Sequence, residues 1–206
     1  MLAAILESVP TDSLVLAEDV TLRDMAPGDV KVKIAHSGVC HSDLSAMNGT
    51  IPQAPPCVLG HEGSGVVTDV GDGVTHVAPG DHVIIAFAPP CGTCAYCTGR
   101  HQPNLCMNGL VAMGSAPQFR RGDTVVGSMT GCGTFAEETI VPNIAAIKID
   151  DDVPLDVAAL IGCGVTTGVG AAINTAKVSP GSSVLVIGVG GVGVAAIQGA
   201  RIAGAA

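Results

Sequence analysis

Tryptophan is absent, tyrosine occurs once and phenylalanine three times in the 206-residue chain. So few flat rings cannot build a platform on which nucleic-acid bases stack. Basic residues are also scarce: 9 Lys and Arg stand singly against 18 Asp and Glu, for a formal net charge of -9. No stripe of positive charge is available for a phosphate backbone or an anionic membrane surface. The opening MLAAILESVP has a short apolar stretch and no basic segment before it, so no signal peptide is read there. Long apolar runs are missing as well. The nearest approach, Val184 to Ala200, contains Gln198 and begins with VLVIGVGG, which reads as a buried strand entering a glycine turn rather than a membrane span. Nucleic acid and membrane are thereby excluded as partners, and small molecules remain.

Cysteine is plentiful, with 8 residues, four of them between Cys91 and Cys106. Without a secretory signal this density suits metal ligation in a reducing, cytoplasmic setting better than cross-linking. Glycine is abundant too, at 28 residues, and falls mostly where runs of apolar residues break. Up to about Ile149 the chain reads as short strands separated by turns, in DVKVKIAHSG, GSGVVTDVGDGV, GDHVIIAF and AEETIVPNIAAIKI. From Pro154 the pattern turns helical, in PLDVAALIGCGVTTGVGAAINTA, and Pro180-Gly181 is a turn. A strand from Ser183 to Gly188 and a helix from about Gly191 follow.

Three groups of residues carry chemistry. Cys91, Cys94 and Cys97, with Cys106 eight residues further on, can wrap one tetrahedral zinc and leave it no open position, which is a structural arrangement. Cys40 in GVCHSDL, His61 and Glu62 in GHEGSG, and Cys163 in IGCGVTTG are scattered. Two thiolates and an imidazole would hold zinc with a fourth position open for water or substrate. Taken singly, each has a plainer reading: a cysteine as a small core side chain, a histidine as a hydrogen-bonded one. The adjacent His61 and Glu62 are costly to bury unless a partner or an ion offsets the desolvation. The third group is Gly188-Val-Gly190-Gly191-Val192-Gly193, after a β-branched strand and before a helix. Gly188 permits the turn, Gly190 lets backbone approach a pyrophosphate and Gly193 allows close helix packing, so the pattern reads as dinucleotide binding.

In this company the spacing of Gly60, His61, Glu62, Gly65, Gly71 and Val74 resembles the zinc signature of the medium-chain alcohol dehydrogenases, and the four-cysteine lobe, CHSDL, GCGVTTG and GVGGVG follow in that family's order. The resemblance implies a mostly β GroES-like catalytic domain over 1–177 and the start of a Rossmann domain, its first strand and helix, over 178–206. It implies two zinc ions, a catalytic one on Cys40, His61 and Cys163 and a structural one on Cys91, Cys94, Cys97 and Cys106. NAD or NADP would be the cofactor, a primary or secondary alcohol or its aldehyde the substrate, and a homo-oligomer the full-length state. Ser42 matches the hydroxyl that starts proton release, Asp43 the carboxylate behind the histidine, and Glu62 a carboxylate near the ion. His41 matches a contact to the cofactor pyrophosphate and Thr167 one to the nicotinamide. Two departures stand out: Ser45 replaces a relay histidine of some relatives, and Cys97 and Cys106 are separated by eight residues rather than seven. Cys57 and Cys132 match no ligand. GTFAEETIVP and HQPNLC resemble the formaldehyde/glutathione-type and nicotinoprotein branches. Because only one strand and one helix of the nucleotide-binding sheet are read, the chain is expected to be a fragment. That leaves a non-catalytic zinc-binding fragment, a glutathione-adduct dehydrogenase and a polyol dehydrogenase as competing expectations.

Overall fold

The computed structural model describes residues 1–109 and 117–206. Two sheets form the body. One has six strands in the order β2-β1-β5-β9-β8-β3, built from β1 (Ala3–Leu6), β2 (Val15–Ala17), β3 (Val20–Leu22), β5 (Cys57–Val58), β8 (Phe119–Arg121) and β9 (Thr124–Ser128). The other has five in the order β10-β4-β6-β7-β11, from β4 (Asp29–Gly38), β6 (Glu62–Val70), β7 (His82–Ile85), β10 (Glu138–Pro142) and β11 (Ala146–Lys148). Pairing is antiparallel except between β5 and β9.

Alternation along the strands sets what is buried. On β4, Val30 and Val32 point inward with Val67, Val83, Ile85 and Val141 of the neighbouring strands, and charged Lys31 and Lys33 point away. Burying each such aliphatic side chain stabilises the fold by about 1.5–3 kcal/mol. The β4–β6 ladder shifts register between Ile34 and His36, a bulge that bends β4 as it approaches the site. Gly65 faces the bulge, where a Cβ would meet the carbonyl of Lys33. After Gly38 the chain turns into α1 (His41–Met47), and α2 (Ala95–Thr98) is a one-turn helix in the cysteine lobe.

The C-terminal part is helical: α3 (Leu155–Ala159), then a 3-10 turn Leu160–Gly162, α4 (Gly164–Gly170) continuing as a π-helical segment Ala171–Thr175, and α5 (Gly191–Ile202). The helical stretches before and after Cys163 are bent by 55°. The expected strand from Ser183 to Gly188 does not form. Among the described residues that segment has no ladder partner, and a parallel strand exists only by hydrogen bonding to neighbours. Its apolar side chains stand in solvent instead, Leu185 at 85% and Ile187 at 92% exposure. The glycine turn and helix after it do form, with Gly188 at φ +96° and a Cβ on Gly193 excluded by the Gly188 carbonyl. No single helix among the described residues is long and apolar enough to cross a membrane.

Helices α4 and α5 meet through small residues. A Cβ on Gly168 would stand 2.6 Å from the Cβ of Ala195 and 2.7 Å from the amide nitrogen of Ala196. We expect Gly168→Ala to lower stability by about 1–2 kcal/mol, since overpacking outweighs the gain in helix propensity. A lower denaturant midpoint at unchanged slope would report it, and an unchanged or higher midpoint would contradict the close helix approach.

Candidate metal centre and cleft

The bent end of β4, the start of β6 and the kink at Cys163 converge. Cys40 is the N-cap of α1, and its sulfur accepts from the Ser42 amide at 3.5 Å. His61 immediately precedes β6, and Glu62 opens it. Cys163 is the residue at the break between the 3-10 turn and α4, with φ -136° and ψ -71°. Gly162 before it lies where a Cβ would stand 2.6 Å from the carbonyl of Ile85, so a side chain there would push the kink off β7. One ligand atom each from Cys40, His61, Glu62 and Cys163 lies within 4.8 Å of the others.

Asp43 organises this cluster from behind. It is only 2% exposed, so it is no surface turn residue, and it accepts from the Cys40 amide at 3.0 Å and from the Gly60 amide at 3.0 Å. Its Oδ1 is also 3.5 Å from Nδ1 of His61. That approach is close enough for an ion pair but misaligned for a hydrogen bond, and Nδ1 is a buried polar atom without a hydrogen-bond partner. Burial pushes the His61 imidazole down, but Asp43 and Cys163 outweigh it and raise the ring to about 10. Burial pushes the Cys40 thiol up, yet hydrogen bonds from Ser42 and the neighbouring His61 bring it below its ordinary range. A thiol held low beside an imidazole backed by a carboxylate is a donor set that suits a dication. We expect Asp43→Ala to weaken metal affinity at this cluster by about 10–100-fold, measured by chelator competition. An unchanged affinity would mean that Asp43 does not orient the ring.

Glu62 is held by partners that sequence reading missed. Its Oε1 accepts from the Gly164 amide at 2.9 Å, and its Oε2 lies where a Cβ on Gly38 would stand, with Leu160 alongside. Phe87 meets the His61 ring edge-on, with centroids 5.9 Å apart. No signal marks Phe87 in the sequence. Gly164 carries one, because it immediately follows Cys163.

Cys40 and Glu62 form the floor of a cleft of about 520 Å3 whose far wall is the start of α5. His41, Gly191 and Val192 line it, whereas Thr167, exposed on α4, lies outside the lining, and so do Gly188, Gly190 and Gly193. Gly190 and Gly191 have open space where a Cβ would stand, and the first turn of α5 has no side-chain cap. Ser42 lies beside the floor, with its Oγ 3.5 Å from the Cys40 sulfur.

The second cluster is the lobe. One sulfur each from Cys91, Cys94, Cys97 and Cys106 lies within 4.8 Å of the others, and all four are free thiols. The Cys106 sulfur accepts from the amides of Cys91 at 3.2 Å and Gly109 at 3.3 Å. Backbone and hydroxyl hydrogen bonds from Thr93 bring Cys91 down to about 5, while desolvation and the adjacent Cys94 push Cys97 up to about 12. Four thiols so close cannot all ionise without a cation among them. The remaining two cysteines stand apart: Cys57 is raised to about 12 by burial and takes a bond from Gln53, and Cys132 is also raised to about 12 by burial.

Residues 26–151 match the family model described as the alcohol dehydrogenase GroES-like domain. An S-(hydroxymethyl)glutathione dehydrogenase of Photobacterium damsela subsp. piscicida is 46% identical over 189 residues, which are 86% of this chain and 51% of that protein. An NDMA-dependent alcohol dehydrogenase of Amycolatopsis methanolica is 45% identical over 195 residues, 92% of this chain and 52% of its own. Among solved structures, an alcohol dehydrogenase zinc-binding domain protein from Burkholderia ambifaria superposes with a TM-score of 0.91 at 33% identity, over 99% of this chain and 56% of that one. The chain thus spans about half the length of the curated relatives it matches.

Proposed function

Since the chain belongs to the alcohol dehydrogenase GroES-like domain family, we propose that it is the metal-binding part of a zinc-dependent, NAD- or NADP-linked dehydrogenase of small alcohols. One observation carries this reading: two thiols and an imidazole from distant parts of the chain meet in a cluster whose Cys40 and Glu62 line a cleft walled by a glycine-turn helix. Cys40, His61 and Cys163 would hold a catalytic zinc, and Cys91, Cys94, Cys97 and Cys106 a structural one. The Asp43 carboxylate facing Nδ1 of His61, which turns the other ring nitrogen away from it, and the lowered Cys40 thiol fit that assignment. Bound zinc supplies Lewis acidity toward an alcohol oxygen, and the nicotinamide supplies the hydride acceptor.

The chain's own residues do the rest. Asp43 fixes the His61 ring and the Cys40 backbone, so the donor set keeps its geometry. The Ser42 hydroxyl, beside the Cys40 sulfur, would accept the alcohol proton and pass it to solvent. Glu62, held by the Gly164 amide, provides a carboxylate that can exchange with other ligands. His41 and the uncapped first turn of α5, with Gly188, Gly190, Gly191, Val192 and Gly193, would receive the cofactor pyrophosphate, and Thr167 would lie against the nicotinamide. The substrate is an alcohol or aldehyde.

A second reading has a specific observation behind it. The exposed, unladdered segment from Ser183 to Gly188 favours a zinc-binding unit with little affinity for nicotinamide. Calorimetric titration of the zinc-loaded protein with NAD and NADP, alongside alcohol-dependent cofactor reduction, separates the two. Saturable cofactor binding with turnover supports the dehydrogenase, and zinc without either supports the other.

A further inference from the structure

The cleft has mostly apolar walls. Its walls are Val39, Leu160, Val165, Val192, Val194 and Ala195, and among the described residues no Lys or Arg lines it. The rim continues the apolar surface, with Val39 83% exposed at the mouth. On α5 the nearest cation, Arg201, is one turn past Gln198 and outside the lining.

The charged groups that do face the cleft make an anion unwelcome. The acidic residue Glu62 lines the floor, and the thiolates of Cys40 and Cys163 would offset the charge of a dication held there. The features able to attract an anion are His41 and the start of α5, and the proposed function commits both to the cofactor pyrophosphate. A carboxylate entering the cleft would therefore be desolvated without a partner.

We infer that this site selects neutral, apolar alcohols and rejects carboxylate-bearing ones, the glutathione adduct of formaldehyde included, even though a relative named for that adduct is 46% identical. This rests on the dehydrogenase reading. S-(hydroxymethyl)glutathione carries two carboxylates against one ammonium, so it presents net negative charge to walls that have none to offset it.

The test compares benzyl alcohol with para-carboxybenzyl alcohol, which differ by one carboxylate, and with S-(hydroxymethyl)glutathione formed from formaldehyde and glutathione. Binding to the zinc-loaded protein is followed by calorimetry and by saturation-transfer NMR, so the readout does not depend on turnover. We expect benzyl alcohol to bind at least about tenfold more tightly than either anionic probe. The variant Val194→Arg, at a position 44% exposed on the α5 wall, should narrow or reverse that gap by supplying the missing cation. Equal or tighter binding of an anionic probe to the unaltered protein overturns the inference and leaves the dehydrogenase reading intact. Binding of none of the three overturns both. A Val194→Arg protein that folds, by circular dichroism, yet shows the same gap would place the discrimination elsewhere and overturn the assignment to this cleft.

Discussion

Cys163→Ala should remove one zinc ion per chain and lower alcohol turnover at least about a thousandfold. The size follows from the role. A Lewis acid contributes several kcal/mol to stabilising developing charge, and each 1.36 kcal/mol is a factor of ten in rate. Cys163 is the clean position for this test. Cys40 also caps α1, so its replacement would disturb a helix as well as a ligand, whereas the Cys163 side chain caps nothing. The flanking Gly162 and Gly164, which fit against Ile85 and donate to Glu62, are unchanged in the variant, so the kink should persist. Zinc content by elemental analysis and kcat/KM on the same sample report the outcome. Full zinc content with unchanged turnover would remove Cys163 from the metal set.

Cys97→Ala should have a different signature, in which the lobe opens while the cleft cluster keeps its ion. A structural zinc contributes its binding energy to local folding, and α2 in the lobe is a single turn with no buried residue. Arg100 lies just after that helix, with its guanidinium over the Tyr96 ring at 5.1 Å, and is a natural tryptic site. Cleavage after Arg100 should accelerate at least about a hundredfold in the variant, because the opening free energy drops by about 3 kcal/mol or more. Cleavage at the parent rate, with zinc content unchanged, would mean that the lobe is held by something other than a metal. The two variants thus assign the two ions independently.

Much of this arrangement was legible in the residues themselves. The alternation in DVKVKIAHSG matches β4 from Asp29 to Gly38, because one face of that strand is buried and the other solvated. The cost of burying His61 beside Glu62 pointed to a site, and both are buried at the floor cluster. Asp43 could not be told from a turn aspartate by its neighbours in sequence, since its burial depends on Gly60, 17 residues away. Phe87 and Gly38 were invisible for the same reason: what matters is a ring edge and a missing Cβ, which only tertiary packing brings to His61 and Glu62. The Ser183 to Gly188 segment stays unladdered because β-branched residues state a preference, whereas a strand needs a hydrogen-bonding neighbour.

Zinc K-edge absorption spectroscopy on the metal-loaded protein tests the central claim most directly. A closed four-sulfur lobe plus a cleft ion on Cys40, His61 and Cys163 predicts an average shell of about three sulfurs at about 2.3 Å and about one nitrogen or oxygen per zinc. A shell of sulfur alone, with a single zinc per chain, would contradict it.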